Sequence, residues 1–331
     1  PTWAGGYALI GLLIGQQFGY ISESVPVSGT GSMSPTFPKG EGKDPKELSN
    51  QIVGTPGMLP YPNGINVFGK RLLGHQIGRG DIVVVDDEKT RKITEEMYGD
   101  PSGWVKRVVA IQGDSLEIRD GIVILNGDPL AEPYTAQPHS TVGEAFLHDC
   151  QKVVVPENSR FVMGDNRKES GDSREVGFFD LSSVKKVLPL KSQKGDLVKN
   201  WRDTSMDFDQ STKIHLDKDE YLRLLNEKRK EAGIGQLKYQ PKLETSAKLR
   251  GEIILKYDDF SYEATRSGYT QLKAMNEAGY SNITYGEAPT LGYYEADELL
   301  ENQFEYPKSK KFLLNKENQE FGIAEIEGSI N

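Results

Sequence analysis

Three short segments of the chain contain residue types that could perform nucleophilic catalysis. They are "SGTGSMSPT" around Ser32, "WVKRVVAI" around Lys106, and "MGDNRKESGDSR", residues 163–174. A serine hydroxyl is a weak nucleophile at its ordinary pKa, so it needs a nearby base, and a lysine kept neutral by burial can be that base. The segments therefore favour a serine nucleophile for which Lys106 fits the requirement of a base.

The segment around Lys106 is typical of a buried β-strand, because valines and Trp104 flank the lysine. Side chains alternate between the two faces of a strand, so Lys106 and Val108 share one face and Arg107 takes the other. We expect Lys106 to point inward, where burial would lower its pKa, and Arg107 to point to solvent.

Each segment alone is weak support for catalysis. A lysine in a strand is most often a solvated edge residue, and "GDNR" alone is an ordinary turn. The three segments occur in this order behind an uncharged stretch, Pro1 to Ser22. That combination favours the catalytic interpretation.

The uncharged stretch predicts a transmembrane anchor over residues 1–22. About 20 helical residues span the roughly 30 Å core of a bilayer. The alternative is a cleaved secretory signal, but no basic segment precedes the apolar run and no Ala-x-Ala site follows it.

Composition excludes several classes of partner and cofactor. The net charge of −9 disfavours nucleic acid, which needs a Lys/Arg surface. With one cysteine and four histidines, the chain has neither an internal disulfide framework nor zinc-type spacing. We expect no metal and no cofactor.

The sequence divides into four regions. After the anchor, residues 23–202 contain short Val/Ile runs separated by turn residues, which predicts a mainly β domain with an antiparallel barrel or sandwich-like sheet system. Its insertion, residues 40–78, shows no regular pattern and is read as a surface loop. Residues 203–216 form a polar linker, and residues 217–331 predict an α+β domain. Its predicted elements are three helices, in "EYLRLLNEKRKEAG", "PKLETSAKLRGEII" and "ADELLENQF", and a strand in "EFGIAEIEGSI".

The catalytic segments, together with "RGDIVVV", resemble those of bacterial and organellar type I signal peptidases over about residues 1–190. The resemblance implies a membrane-bound serine endopeptidase of the plasma (inner) membrane. It would remove signal peptides from exported precursor proteins on the extracytoplasmic side, so its partners would be those precursors and the lipid bilayer.

The same resemblance implies a role for eight residues. These are Ser32 as nucleophile, Lys106 as general base, Ser170 as the hydrogen-bonding partner that orients Lys106, Asp172 and Arg174 as a bracing ion pair, Thr30 with the Ser32 N–H group as the oxyanion hole, and Met33 and Pro35 as residues that shape the turn and the substrate cleft.

Residues 217–328 resemble the CAP superfamily in its cysteine-free bacterial form. The resemblance implies a cavity with two histidines and acidic residues, but Tyr262 stands where a histidine is expected, and Glu287 remains. No histidine follows His215, so metal binding there is not expected. A binding or spacer role is expected, and the ligand is not indicated.

Two alternatives remain at this stage. A self-cleaving repressor of the same protease clan would carry a DNA-binding helix pair and a basic surface, and neither pattern is present. An extracytoplasmic binding protein, in which the CAP-like module acts and the protease fold is a scaffold, is the other. The buried lysine disfavours it, because a scaffold has no need for an expensive buried cation.

Overall fold

The chain forms two compact units, Pro1–Thr212 and Lys213–Asn331. The computed structural model describes residues 11, 14, 15, 18, 19, 21–67, 70–282 and 285–328. The division between the units falls inside the predicted linker, and the domain limits themselves stay a prediction.

Over residues 21–67 and 70–212, the first unit contains short strands and three α-helices. The strands are β1 Glu23–Ser24, β2 Val27–Ser28, β3 Ile52–Gly54, β4 Gly57–Pro60, β5 Ile65–Val67, β6 Lys70–Leu72, β7 Ile82–Val85, β8 Trp104–Ile111, β9 Ser115–Arg119, β10 Ile122–Leu125, β11 Asp128–Pro129, β12 Val153–Val154, β13 Ser159–Met163, β14 Phe179–Asp180 and β15 Val184–Leu188. The helices are α1 Pro45–Asn50, α2 Glu88–Tyr98 and α3 Ser173–Val176.

Most of these strands form two antiparallel sheets. The seven-stranded sheet has the order β1-β4-β15-β7-β8-β13-β14, and the four-stranded sheet has the order β11-β10-β9-β12. Between β9 and β10, Asp120 and Gly121 both have positive φ, 52° and 75°, as a tight hairpin turn requires. The prediction of a β-rich first domain is confirmed.

Strand β8 lies in the interior of the seven-stranded sheet, between β7 and β13. Its valines contribute to two apolar clusters: Val109 packs with residues of the four-stranded sheet, and Val108 packs with Val83 and Val162. Both faces of the sheet are therefore covered at β8, and side chains on either face are held by packing.

The insertion, residues 40–78, is not an irregular loop, so that interpretation was wrong. It contains α1 and the strands β3 to β6, and β4 is an integral strand of the seven-stranded sheet. Met58 on β4 is fully buried against Met33, Phe37 and Ile82. Strand β4 pairs with β1 and β15. Because β15 is far from β4 in the sequence, no local sequence pattern predicts this pairing.

The second unit is α+β. It contains α4 Lys218–Glu231, α5 Pro241–Tyr257, α6 Gln271–Glu277, α7 Ala296–Glu305 and α8 Pro307–Leu313, with β16 Lys238–Tyr239 parallel to β17 Glu320–Phe321. The three predicted helices correspond to α4, α5 and α7. The predicted C-terminal strand is shorter than expected, because only Glu320–Phe321 pairs with β16 within residues 285–328.

The predicted anchor, residues 1–22, lies largely outside the described residues. Within the described part of the chain, none of the helices combines the length and the apolar character needed to cross a membrane.

Candidate active site

The structure brings Ser32 and Lys106 together. Ser32 lies in the turn that follows β2, and Lys106 lies on β8; their Oγ and Nζ atoms are 2.9 Å apart. Gly31 has a φ of 85°, a conformation that favours glycine, and it turns the chain just before Ser32. Ser32 itself is half-buried. Direct proton transfer between this hydroxyl and this amine is therefore geometrically possible.

Lys106 is surrounded by protein and is only 4% exposed. Burial lowers its pKa from 10.5 to about 8, against the opposing influence of the Asp172 charge. Among the described residues, no carboxylate lies within ion-pair distance of its amine; the Trp104 ring centre is 5.7 Å away. A large fraction of Lys106 is neutral near pH 8, as a general base requires.

Contacts made by Met33, Thr36 and Asn166 hold the loop that carries Ser32 in place. Met33 is 3% exposed and packs in the core. The Thr36 hydroxyl donates to Asp165 at 2.6 Å. Asn166 donates its N–H to the Ser32 carbonyl and its side-chain amide to the Gly31 carbonyl, each at 3.2 Å. These contacts hold the serine backbone in one orientation.

Gly164 lies between the Ser32 loop and Ser170. A Cβ atom added at position 164 would overlap both the Ser32 carbonyl oxygen and the Ser170 hydroxyl. The Gly164 N–H donates to Asp172 at 3.0 Å. The segment "GDN" can approach the loop that carries Ser32 this closely only because its first residue, Gly164, has no side chain.

Ser170 is buried near this loop, but the expected hydrogen bond to Lys106 is not formed. Its hydroxyl instead donates to the Gly171 carbonyl at 3.4 Å. In the described part of the chain, the side-chain partner of the Lys106 amine is Ser32.

Asp172 and Arg174 form a fully buried, two-contact ion pair. Arg174 Nε and Nη2 each lie 2.9 Å from a different oxygen of Asp172. Although burial opposes ionisation, Arg174 holds the pKa of Asp172 below its usual value. Arg174 also donates to the Ser170 carbonyl at 3.1 Å, so the pair fixes the backbone at Ser170.

The two hydrogen-bond donors assigned to the oxyanion hole are the Thr30 hydroxyl and the Ser32 N–H group. Thr30 is half-buried, two residues before Ser32. Within the described residues, neither the Thr30 hydroxyl nor the Ser32 N–H donates a hydrogen bond. Both donors could therefore bind an oxygen that develops negative charge next to Ser32.

The two residues assigned to the substrate cleft lie in different surroundings. Met33 is in the core and supports the loop from beneath, so it offers a substrate almost no surface. Pro35 is half-buried, and its carbonyl accepts a hydrogen bond from the Asn200 amide at 3.0 Å.

Comparison with known families agrees with this geometry. The sequence profile described as "Signal peptidase, peptidase S26" matches residues 3–188, which is more than half of the 331 residues. The chain belongs to the signal peptidase family. This confirms the predicted enzyme class at the level of the family, whose members are peptidases and therefore hydrolases.

Individual relatives match about a third of the chain. A signal peptidase I of Bacillus licheniformis is 37% identical over 111 residues, which are 32% of this chain and 54% of the relative. Signal peptidase I S of Bacillus subtilis (strain 168) is 37% identical over 114 residues, 33% of this chain and 55% of the relative. The chain thus spans about half the length of these relatives.

A solved structure of a signal peptidase I from Enterococcus faecalis V583 is 26% identical and covers 35% of this chain and 98% of its own. Its TM-score is 0.26, too low to support a shared fold, so the assignment to the signal peptidase family rests on the sequence matches.

Arg107 is buried, which corrects the expectation that it faces solvent. It is 0% exposed, and its Nε and Nη2 atoms donate to Asp165 at 2.8 and 2.7 Å. Its guanidinium lies 4.1 Å from the centre of the Tyr134 ring. The prediction failed because alternation along β8 separates two faces but does not say that both are covered.

Sequence reasoning also missed Asp165 and Asn166 as part of the site. Asp165 accepts hydrogen bonds from Thr36, in the loop that carries Ser32, and from Arg107. Asn166 donates a hydrogen bond to the Ser32 carbonyl. The available signal was their position in "MGDNRKESGDSR", the segment that supplied Ser170, Asp172 and Arg174.

Proposed function

We propose that this protein is a membrane-bound serine endopeptidase that removes signal peptides from exported precursor proteins with a Ser32/Lys106 dyad. The observation that carries the proposal is the 2.9 Å contact between Ser32 Oγ and the buried amine of Lys106. Membership of the signal peptidase family supports the substrate class.

In the first step, neutral Lys106 accepts the hydroxyl proton as Ser32 Oγ attacks the carbonyl carbon of the scissile peptide bond. The lowered pKa of Lys106, about 8, keeps much of the amine neutral at mildly alkaline pH. The new bond joins Oγ to the carbonyl carbon, and the carbonyl oxygen takes the negative charge.

That oxygen would be bound by the Ser32 N–H and the Thr30 hydroxyl. Donors aimed at a developing oxyanion contribute about 10²–10³-fold each to the rate. Because Asn166 and Gly164 hold the Ser32 backbone, the N–H direction is set before the substrate arrives.

The ammonium of Lys106 then gives its proton to the leaving amine as the peptide bond breaks. The acyl group stays on Ser32. Lys106, again neutral, takes a proton from the water that attacks the acyl carbon, and it returns that proton to Ser32 Oγ as the ester bond breaks. Asp172 and Arg174 brace the polypeptide that surrounds the amine throughout, through the Ser170 carbonyl.

Cleavage of a model precursor with an Ala-x-Ala site, in detergent or lipid, tests the proposal. The intact chain should cut at that site, while Ser32→Ala and Lys106→Met should each lose about 10³-fold or more in kcat/KM. The matched control is Lys152→Met, which removes an exposed lysine and should leave the rate unchanged. Full activity in Lys106→Met would refute the dyad. A folded parent chain that cuts no precursor would refute the peptidase function and redirect attention to a binding role of the second unit.

We also propose that residues 1–22 anchor the chain in the plasma membrane with the first unit on the extracytoplasmic side. Their lack of charge supports this proposal. Flotation of the intact chain with lipid vesicles in a density gradient is the expected result, and recovery of all the protein in the dense fraction would contradict the anchor.

For residues 217–331 we propose a CAP-like module with a binding or spacer role. Glu287, the acidic residue that the resemblance retains, is largely buried, and Arg250 Nε lies 3.2 Å from it. A guanidinium thus supplies the positive charge at this carboxylate. If the module has no catalytic part in cleavage, Glu287→Gln should leave the precursor assay unchanged.

A further inference from the structure

A loop that the proposed mechanism does not use is fastened to the back of the site. The N–H groups of Phe146 and Leu147 each donate to the Arg174 carbonyl at 2.9 Å, and the Glu144 N–H donates to the Leu147 carbonyl at 2.9 Å. Glu144 is therefore held by its backbone against the buried ion pair of Asp172 and Arg174.

The Glu144 side chain shares Arg174 with Asp172. Its carboxylate lies 3.4 Å from Arg174 Nη2, and it is 27% exposed, whereas Asp172 and Arg174 are 0% exposed. One guanidinium thus faces two carboxylates. When both are ionised, these three groups carry a net charge of one negative unit close to Lys106.

The other charged groups around Glu144 come from three elements. Glu175 lies on α3 and Lys106 on β8, and the Glu144 charge interacts with both. On its own loop, Asp149 accepts a hydrogen bond from the Gly143 N–H at 3.2 Å, and His148 is exposed. Arg174 and Lys106 are the cations that favour ionised Glu144, while Asp172 and Glu175 oppose it.

We propose that Glu144 is a positioning residue that, together with the Asp172–Arg174 ion pair, controls the protonation of Lys106. The proposal rests on the proposed function, in which Lys106 must be neutral to accept the Ser32 proton.

The charge balance explains why a carboxyl at this place suits a lysine base. One proton can reside on Lys106 with Glu144 ionised, or on Glu144 with Lys106 neutral, and the four groups sum to zero charge in both arrangements. Net charge in a buried site is unfavourable, so both arrangements are tolerated where a lone ammonium would not be. Burial raises the pKa of Glu144 to about 7, close to that of Lys106, so the two titrations overlap.

The dependence of kcat/KM on pH, from about pH 6 to 10, tests the proposal. Ionised Glu144 raises the pKa of Lys106. In Glu144→Gln that charge is gone, so the rise of kcat/KM should move to lower pH, by about half a pH unit. Glu144→Asp keeps the charge and should keep the midpoint near that of the parent. Glu157→Gln, which removes an exposed carboxylate of the same unit, is the matched control.

A second measurement does not depend on activity. The ¹³Cε resonance of Lys106, followed by NMR in the intact chain, reports its titration directly, and Lys106→Met assigns the signal. A lower Lys106 pKa in Glu144→Gln, with Glu144→Asp and Glu157→Gln unchanged, is the expected result. An unchanged titration in a folded Glu144→Gln variant would overturn the inference. If the parent cuts no precursor but the Lys106 pKa still responds to Glu144, the proposed function fails and the electrostatic coupling stands.

Discussion

Two neighbouring cations on opposite faces of strand β8, Lys106 and Arg107, have pKa values shifted in opposite directions. Lys106 and Arg107 are 4% and 0% exposed, so burial alone does not distinguish them. Arg107 is neutralised by Asp165 and also donates to the Gln193 amide oxygen at 2.7 Å. Although burial opposes its charge, Asp165 raises the pKa of Arg107. Lys106 has a lowered pKa, and none of the described carboxylates is in contact with it. The presence of a partner, more than burial, decides which cation is permanent and which can act as a base.

The largest effect should come from removing the partner on the Arg107 face. Asp165→Leu leaves a fully buried guanidinium without its counter-charge, and such a change typically destabilises by about 3–5 kcal/mol. Urea unfolding at pH 7 measures it, with Asp196→Leu as an exposed control. A loss below about 1 kcal/mol would contradict the view that Arg107 depends on Asp165 for its charge.

A smaller effect of opposite sign should come from the Lys106 face. The pKa of Lys106 is 10.5 as a reference and about 8 in the folded chain, so the folded state binds fewer protons between those values and stability rises with pH there. Below pH 8 the folded protein tolerates an unfavourable ammonium. Lys106→Met should therefore stabilise by about 1–3 kcal/mol at pH 6–7, and the gain should shrink as pH rises towards 10.5.

Thermal unfolding from pH 6 to 10 checks this second prediction. Arg107→Met is the matched comparison, because it deletes the neighbouring buried cation but leaves Asp165 unpaired, and it should destabilise at every pH in that range. Equal losses in the two variants would show that the faces of β8 do not differ.

The smallest effect on stability should come from substitution of Asn166. This residue directly follows Asp165 in the sequence, but its hydrogen bonds go to the loop that carries Ser32. Asn166→Ala removes the 3.2 Å amide contact to the Gly31 carbonyl, and the loss of one such hydrogen bond typically destabilises by about 1 kcal/mol. Because the Ser32 backbone would be held less firmly, kcat should fall by about tenfold with little change in KM. A change in KM alone would indicate a substrate contact instead.

The choice of Ser32 came from the resemblance to type I signal peptidases. Local pattern was sufficient to predict that Lys106 is buried, because strand alternation and flanking apolar residues are sequence properties. It was insufficient for Arg107, whose partner Asp165 lies 58 residues away. Local pattern also failed to predict β4, which pairs with the distant strand β15. It did not indicate Glu144 either, because the charged neighbours of Glu144 come from α3 and β8. In the second unit, the amphipathic or capped helices α4, α5 and α7 were predictable, whereas the short α6 and α8 were not.

The contacts that build the site join distant parts of the chain, and this has a consequence during synthesis. Ser32 and Lys106 are 74 residues apart, and Thr36 and Asp165 are 129 residues apart. Because a ribosome releases a chain starting from its N-terminus, Ser32 emerges long before Lys106, and Lys106 emerges before the "GDN" segment that holds Ser32 in place. A nascent chain therefore carries Ser32 without its surrounding contacts until residues as far as Arg174 have left the ribosome.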